Sequence, residues 1–372
     1  MRYRIEKDKL GNKQIPAEAY YGIGAYRSKD TFQIAKHGLC RQMIKVFAVI
    51  KKSAAKANAE LNLIGKDVSE AITLSSDEII NGRLHGQFIT DIIQGGSGSS
   101  MNTNANEVIA NRANEMMGGE KGKYDLVHPT KDVNLGQNTN DIVLLAGKMT
   151  TIRLTKKLLA EVKKLYNSYF EKINEYGLSK DNMFTLGQEL ASFAQILERD
   201  IKRIETALAG LYEIRISYSY EDKNLANKFN EKFMKFLVMH SGENFYQTKN
   251  PFDNGRNLDA LSWISSAFKI MGSNLAKAAG DMALIAEKGR VIIPQQIEET
   301  TTPVVIEMVK QVSYYIMGND LTISRSIEAG ELDGNIFYPI IFACMFEIIN
   351  LLRRITRVYR EKVIEVLQLN EI

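Results

Sequence analysis

The chain has 372 residues, 45% of them hydrophobic and 25% charged, with a formal net charge of +4. That is the make-up of a soluble globular protein with a large core, and so small a charge gives no reason to expect nucleic acid or membrane as a partner. Two distant cysteines (Cys40, Cys344) argue against a disulfide scaffold, and four scattered histidines (His37, His85, His128, His240) form no zinc cluster. No metal or cofactor is expected.

The start, "MRYRIEKDKLG", is charged and lacks an apolar segment, so no signal peptide is read and a cytoplasmic protein is expected. Six prolines punctuate intervals rich in Leu, Ala, Lys, Glu, Met and Ile. These are good helix formers, and few windows alternate as half-buried strands do, so the expectation is a mainly α fold.

The first unusual stretch is "QGGSGSSMNTNANEV", Gln94 to Val108. No Gly-Lys-Ser/Thr follows, as a phosphate loop needs, and the third glycine of a dinucleotide fingerprint is absent. A linker would not run straight into helical spacing. The stretch reads as a tight turn presenting Ser99, Ser100, Asn102 and Asn104 near a helix start, a place suited to a carboxylate. A second donor cluster, "GQNTND" (Gly136 to Asp141), precedes another helix. Helix capping by Asn138, Thr139 or Asn140 explains it when taken alone. Two such clusters in one helical chain favour a binding role.

From Asp141 to Tyr176, Ile152, Leu159, Val162, Tyr166 and Tyr169 recur at steps of seven, three, four and three, leaving Lys156, Lys157, Lys163 and Lys164 largely outside the stripe. Similar patterns cover Thr185–Leu211, Asn257–Glu287, Pro303–Ile316 and Ile336–Val366. Helices this long imply a bundle, and their apolar faces exceed what one chain covers, so an oligomer is expected. Ser217 to Asn224 and Ser241 to Asn254 read as loops. The apolar run "IFYPIIFACMF" is too short to cross a bilayer and reads as a buried helix. The arginines at 353, 354, 357 and 360 read as a solvated helix face, with an acidic partner as the alternative.

Several segments resemble L-aspartate ammonia-lyases of the aspartase/fumarase superfamily. They are "IEKDKLGNKQIPAEAYYGIGAYRS", "QGGSGSSMNTNANEVIANRA", "HPTKDVNLGQNTND", "TLGQE", "PVVIEMVKQV" and "GNDLTISRSIEAGELDGN", in that order. The resemblance implies a central bundle of long helices in a homotetramer, with each site shared by three subunits. It implies elimination from a small dicarboxylate or amino acid, L-aspartate giving fumarate and ammonia. Such chemistry needs a base and converging donors for the carboxylate that accumulates charge. By position, Ser99 and Ser100 lie in the substrate-binding segment, Ser99 standing where the family has threonine. Asn138 replaces a serine, Thr139 and Asn140 match, and Arg27 matches an arginine near the site.

The departures carry equal weight. The family's base loop, "GSSxMPxKxNP", is here "RVIIPQQIEETTTP". Ungapped from Pro303, Gln295 falls at the base, Thr300 at the lysine and Thr302 at the asparagine. An amide cannot serve as a base near neutral pH. Glu298 or Glu299 could, at the cost of charge repulsion with a dianion. The threonine motif before "TLGQE" is also missing, its positions being Tyr176 and Gly177, and "EIRISYSY" replaces a glycine-rich turn. The family's small C-terminal domain is expected to be absent. The expected organisation is an N-terminal helical domain at 1–133, a bundle at 134–352 and a basic helical stub at 353–372. The expected function is that of a divergent aspartase-like protein. The alternatives are an inactive homotetrameric scaffold or regulatory subunit, and a lyase with altered substrate.

Overall fold

Tyr3–Asp8 (β1) and Gly11–Pro16 (β2) form an antiparallel hairpin that hydrophobic patterning does not announce. The one fully inward residue of β1 is a carboxylate, Glu6, and of β2 only Ile15 is buried. A period carried by one glutamate and one isoleucine is invisible to an apolar search. The computed structural model describes residues 2–35, 38–176, 185–217, 222–295, 297, 303–332 and 334–370.

The helices follow as α1 (Ile23–Thr31), α2 (Arg41–Glu60), α3 (Lys66–Ile80), α4 (Ser99–Met116), α5 (Thr139–Tyr176) and α6 (Leu186–Ala209). Next come β3 (Glu213–Ile214), α7 (Lys223–Ser241), β4 (Tyr246–Gln247), α8 (Pro251–Arg256) and α9 (Asp259–Glu287). The chain continues through β5 (Val291–Ile292), α10 (Val304–Glu328), α11 (Tyr338–Tyr359) and β6 (Gln368–Leu369). β3 pairs with β4 in parallel, and β5 pairs with β6 antiparallel. The fold is mainly α.

Two units emerge, each from three stretches of chain. Met1–Thr150, Tyr212–Leu258 and Ser326–Ala343 form the first, and Thr151–Leu211, Asp259–Arg325 and Cys344–Ile372 the second. In the second, the α5 stripe is buried at Ile152, Leu159, Val162 and Tyr169, while Lys156, Lys157, Lys163 and Lys164 are exposed. Each such buried aliphatic contributes about 1.5–3 kcal/mol. Thr185 caps α6 through a capping box with Gln188. Helix α10 runs twelve residues beyond the expected Ile316. Gly318 does not end it, because Asp320 just beyond is buried and accepts from Ser265 Oγ and Lys269 Nζ, both at 2.6 Å. The basic face is only partly solvated: Arg360 pairs with Glu361 and Glu365.

In the first unit, α1 starts at Gly22, which has no side chain to cap it. Glu107 of α4 does so instead. Its Oε2 accepts from the N–H groups of Gly22 and Ala25 at 2.9 and 3.0 Å, and its Oε1 from Gly24 at 2.8 Å. Glu6 accepts from Ile23 N–H at 2.8 Å. A Cβ on Gly24 would lie 2.7 Å from Thr103 Cγ2 and 2.8 Å from Glu107 Oε1, so a side chain there would press on the carboxylate that caps the helix. Burial pushes the Glu107 carboxyl up to about 7, with Glu6 adding repulsion against the three N–H donors.

A folded pKa of about 7, against about 4.3 when unfolded, means the folded state keeps a proton that the unfolded state has released. Stability should therefore fall as pH rises between those values, by up to about 4 kcal/mol. Calorimetry across pH 5 to 8 should show the stability deficit of Glu107→Gln shrinking as pH rises; a constant deficit would contradict this.

Candidate functional site

Helix α4 leaves its turn through three successive left-handed residues, Gly96 (φ 63°), Ser97 (φ 56°) and Gly98 (φ 84°). Ser97 adopts this conformation although it carries a Cβ, and it is buried. Close approach requires glycine at 98, where a Cβ would lie 3.0 Å from Val143 Cγ1 of α5. The turn thus sets the first residues of α4 against the first turns of α5. Ser99 is exposed and Ser100 half-buried at the helix start. Gly98 offers no side-chain cap, while Gln94 Oε1 takes the Met101 N–H at 3.2 Å. Such a helix start favours an anion through its first-turn N–H groups and dipole.

The second donor cluster meets the first. Asn102, one turn along α4 from Ser99, donates from Nδ2 to Thr139 Oγ1 at 3.3 Å and to Asn134 Oδ1 at 3.0 Å. Because Thr139 Oγ1 accepts that bond, its own O–H can donate elsewhere. Residues i and i+3 of a helix share a face, so Ser99 and Thr139 border one surface. Asn138 acts differently. Its Oδ1 accepts from the Asn140 and Asp141 N–H groups at 2.9 and 3.4 Å, capping α5. Asn140 is exposed at the same helix start. Asp141, buried beneath it, pairs with Arg215 at 2.8 Å.

Arg27 lies on α1, where its Nε and Nη2 grip Asp8 at 2.6 and 2.9 Å and Nη2 also reaches Gly11 O at 3.0 Å. That guanidinium holds the Asp8 carboxyl below its usual range. Its visible partners belong to the hairpin, not to the Ser99–Thr139 surface. Gln295 is exposed and donates to Ile297 O at 2.9 Å. Thr300, Thr302, Glu298 and Glu299 lie outside the described residues.

Sequence reasoning missed Lys51. It is fully buried on α2 and donates to Asn134 Oδ1 at 2.8 Å and Gln137 Oε1 at 2.9 Å. Burial alone drives its pKa well below that of a free lysine. In sequence it sits in "VIKKSAAK", where nothing separates it from the neighbouring lysines. His128 caps the single turn Pro129–Val133 by accepting from Thr130 and Lys131 N–H, while His85 is hydrogen-bonded with Ile79 O and His240 with Ser53 Oγ. No group of three or more His, Cys, Asp or Glu residues is placed to hold a metal ion among the described residues. Nor is any helix of the described residues long and apolar enough to cross a membrane.

The family described as Lyase matches residues 11–318. The chain is 33% identical to aspartate ammonia-lyase of a Bacillus species, covering 99% of this chain and 83% of that protein. It is equally similar to aspartate ammonia-lyase of Bacillus subtilis, with 82% of that protein covered. Among solved structures, a fumarate lyase:delta crystallin from Brucella melitensis superposes with a TM-score of 0.93 at 30% identity, covering 99% of this chain and 89% of that one. A class II fumarase from Schistosoma mansoni superposes at 0.92 with 26% identity, covering 99% and 85%. With the paired donor segments, the helical fold and a family match over most of its length, this chain belongs to the aspartase/fumarase superfamily of lyases.

Proposed function

We propose that this protein binds a small dicarboxylate at the surface shared by Ser99, Ser100 and Thr139, and that elimination there is weak because the base loop has been replaced. The observation that carries the reading is the Asn102–Thr139 hydrogen bond, which joins two donor segments distant in sequence and leaves the Thr139 hydroxyl to donate outward. One carboxylate of the substrate takes that hydroxyl and the start of α4. Asn138 caps α5, and Asn140 stands exposed beside it. Arg27 supports the hairpin next to α1. At the aligned base position, Gln295 can donate and accept hydrogen bonds but cannot take a substrate proton near neutral pH. On this reading the chain is an aspartase-like protein that has kept one wall of its site.

A homotetramer is part of the same proposal, and the second unit supports it. Trp263, Ile270 and Leu284 on α9, the latter two seven and twenty-one residues beyond the first, are 51%, 38% and 54% exposed. On α10, Tyr314, Met317 and Leu321 recur at three and four, and they too are exposed. Apolar stripes at this spacing suit helix-to-helix packing against further copies of the chain. We place the protein in the cytoplasm.

Purified protein given L-aspartate should release fumarate, followed by ultraviolet absorbance, at well under about 1 per second; turnover at or above that ordinary enzyme rate would sink the reading. Succinate should raise the melting temperature, and Ser99→Ala or Thr139→Ala should each weaken its binding about tenfold, the cost of one hydrogen bond to a charged group. Light scattering should report a tetramer, and Ile270→Glu should dissociate it; an unchanged mass would remove the α9 stripe from the interface.

A further inference from the structure

Lys51 is not explained by packing. A buried lysine normally carries a carboxylate partner, and none is bonded to this one among the described residues. Its two acceptors are neutral amides, and its surroundings supply only desolvation. The Lys51 amine donates to both amide oxygens, and it can do so in either protonation state, since an ammonium has three N–H donors and the neutral amine that burial favours still has two.

That requirement propagates. Asn134 Oδ1 and Gln137 Oε1 face Lys51. Asn134 therefore presents the same oxygen to its other neighbours, and Asn102 and Asn106 both direct Nδ2 to it, at 3.0 and 3.3 Å. With its amide thus oriented, Asn102 has an N–H to give to Thr139 Oγ1. A hydroxyl whose oxygen is engaged as an acceptor sends its hydrogen outward. The cost is visible at the far side of both amides, where Asn102 Oδ1 and Asn106 Oδ1 are buried with no partner among the described residues. Both asparagines would avoid that penalty only by flipping, and the N–H that Lys51 donates to Asn134 Oδ1 opposes it. The loop itself is tied by the same residues: Asn134 Nδ2 donates to Gln137 O at 3.2 Å, and Gln137 Nε2 to Val133 O at 2.8 Å.

We infer that Lys51 is a positioning residue that fixes the hydrogen-bond direction of the Asn134–Asn102–Thr139 relay, so that Thr139 meets a substrate carboxylate as a donor. This rests on the dicarboxylate reading of the site. It assigns Lys51 no contact with the substrate.

Two arms test it. In ligand-free protein, hydrogen exchange of peptides covering residues 133–142 should quicken at least tenfold in Lys51→Met, with the melting temperature held, because an apolar isostere removes a buried charge but not its volume. Lys51→Gln, whose amide can donate or accept, keeps a partner for Asn134 should the methionine variant fold poorly. It should exchange at an intermediate rate. In the second arm, succinate affinity is measured by calorimetry in wild type, Lys51→Met, Thr139→Val and the double variant. Each single change should weaken succinate by at least tenfold, and the double no further than the worse single, since both act through one hydroxyl. Unaltered exchange, unaltered affinity in Lys51→Met, or losses that multiply in the double variant would each overturn the inference. If the wild type binds no succinate while the exchange arm behaves as expected, the dicarboxylate reading fails and the anchoring of the loop by Lys51 stands.

Discussion

One lysine, Lys51, is sealed inside the first unit, where its amine donates to two amide oxygens. Much of the candidate site's order depends on that constraint. It orients Asn134, gathers Asn102 and Asn106 around one oxygen, and ties the Val133–Gln137 turn that delivers Thr139 to the start of α5. The other half is set by backbone geometry. Three left-handed residues and the close approach of Gly98 to Val143 bring the start of α4 to the same place.

These two devices bring hydroxyls and a helix start with uncapped N–H groups to one surface, which suits a carboxylate. Elimination needs more: a group to remove the proton and opposing donors to hold the second carboxylate. The aligned positions for those roles are Gln295, Thr300 and Thr302, and an amide and two hydroxyls lack both the basicity and the charge. On the reading proposed above, a protein so built would hold a dicarboxylate without efficiently converting it. The preserved wall and the rewritten loop thus point to one reading, in which affinity has outlasted rate. The same reading extends to an assembly through the exposed apolar stripes of α9 and α10, since contiguous exposed apolar faces mark interaction sites.

What can be read in the sequence follows from where the signal is apolar. The α5 stripe from Ile152 to Tyr169 and the starts of α6, α9 and α10 rest on helical spacing, proline punctuation and capping residues, all local properties. The N-terminal hairpin escapes because its inward residue is Glu6. The end of α10 is hidden because a buried Asp320, bonded to Ser265 and Lys269, holds the helix past Gly318. At the candidate site, donor clusters at helix starts single out Ser99, Ser100 and Thr139 in the sequence. Their union through Asn102 is not legible, since it joins residues 37 apart in sequence. Lys51 is concealed for a plainer reason. Among many lysines on amphipathic helices, burial of one is decided by what packs over it, and no local pattern records that.

The most direct test of the central claim is a crystal structure of the protein grown with saturating succinate. A carboxylate bonded to Thr139 Oγ1 and to the start of α4 at Ser99 or Ser100 is the predicted result. Succinate seated elsewhere, or a donor surface that stays empty at saturation, would contradict it.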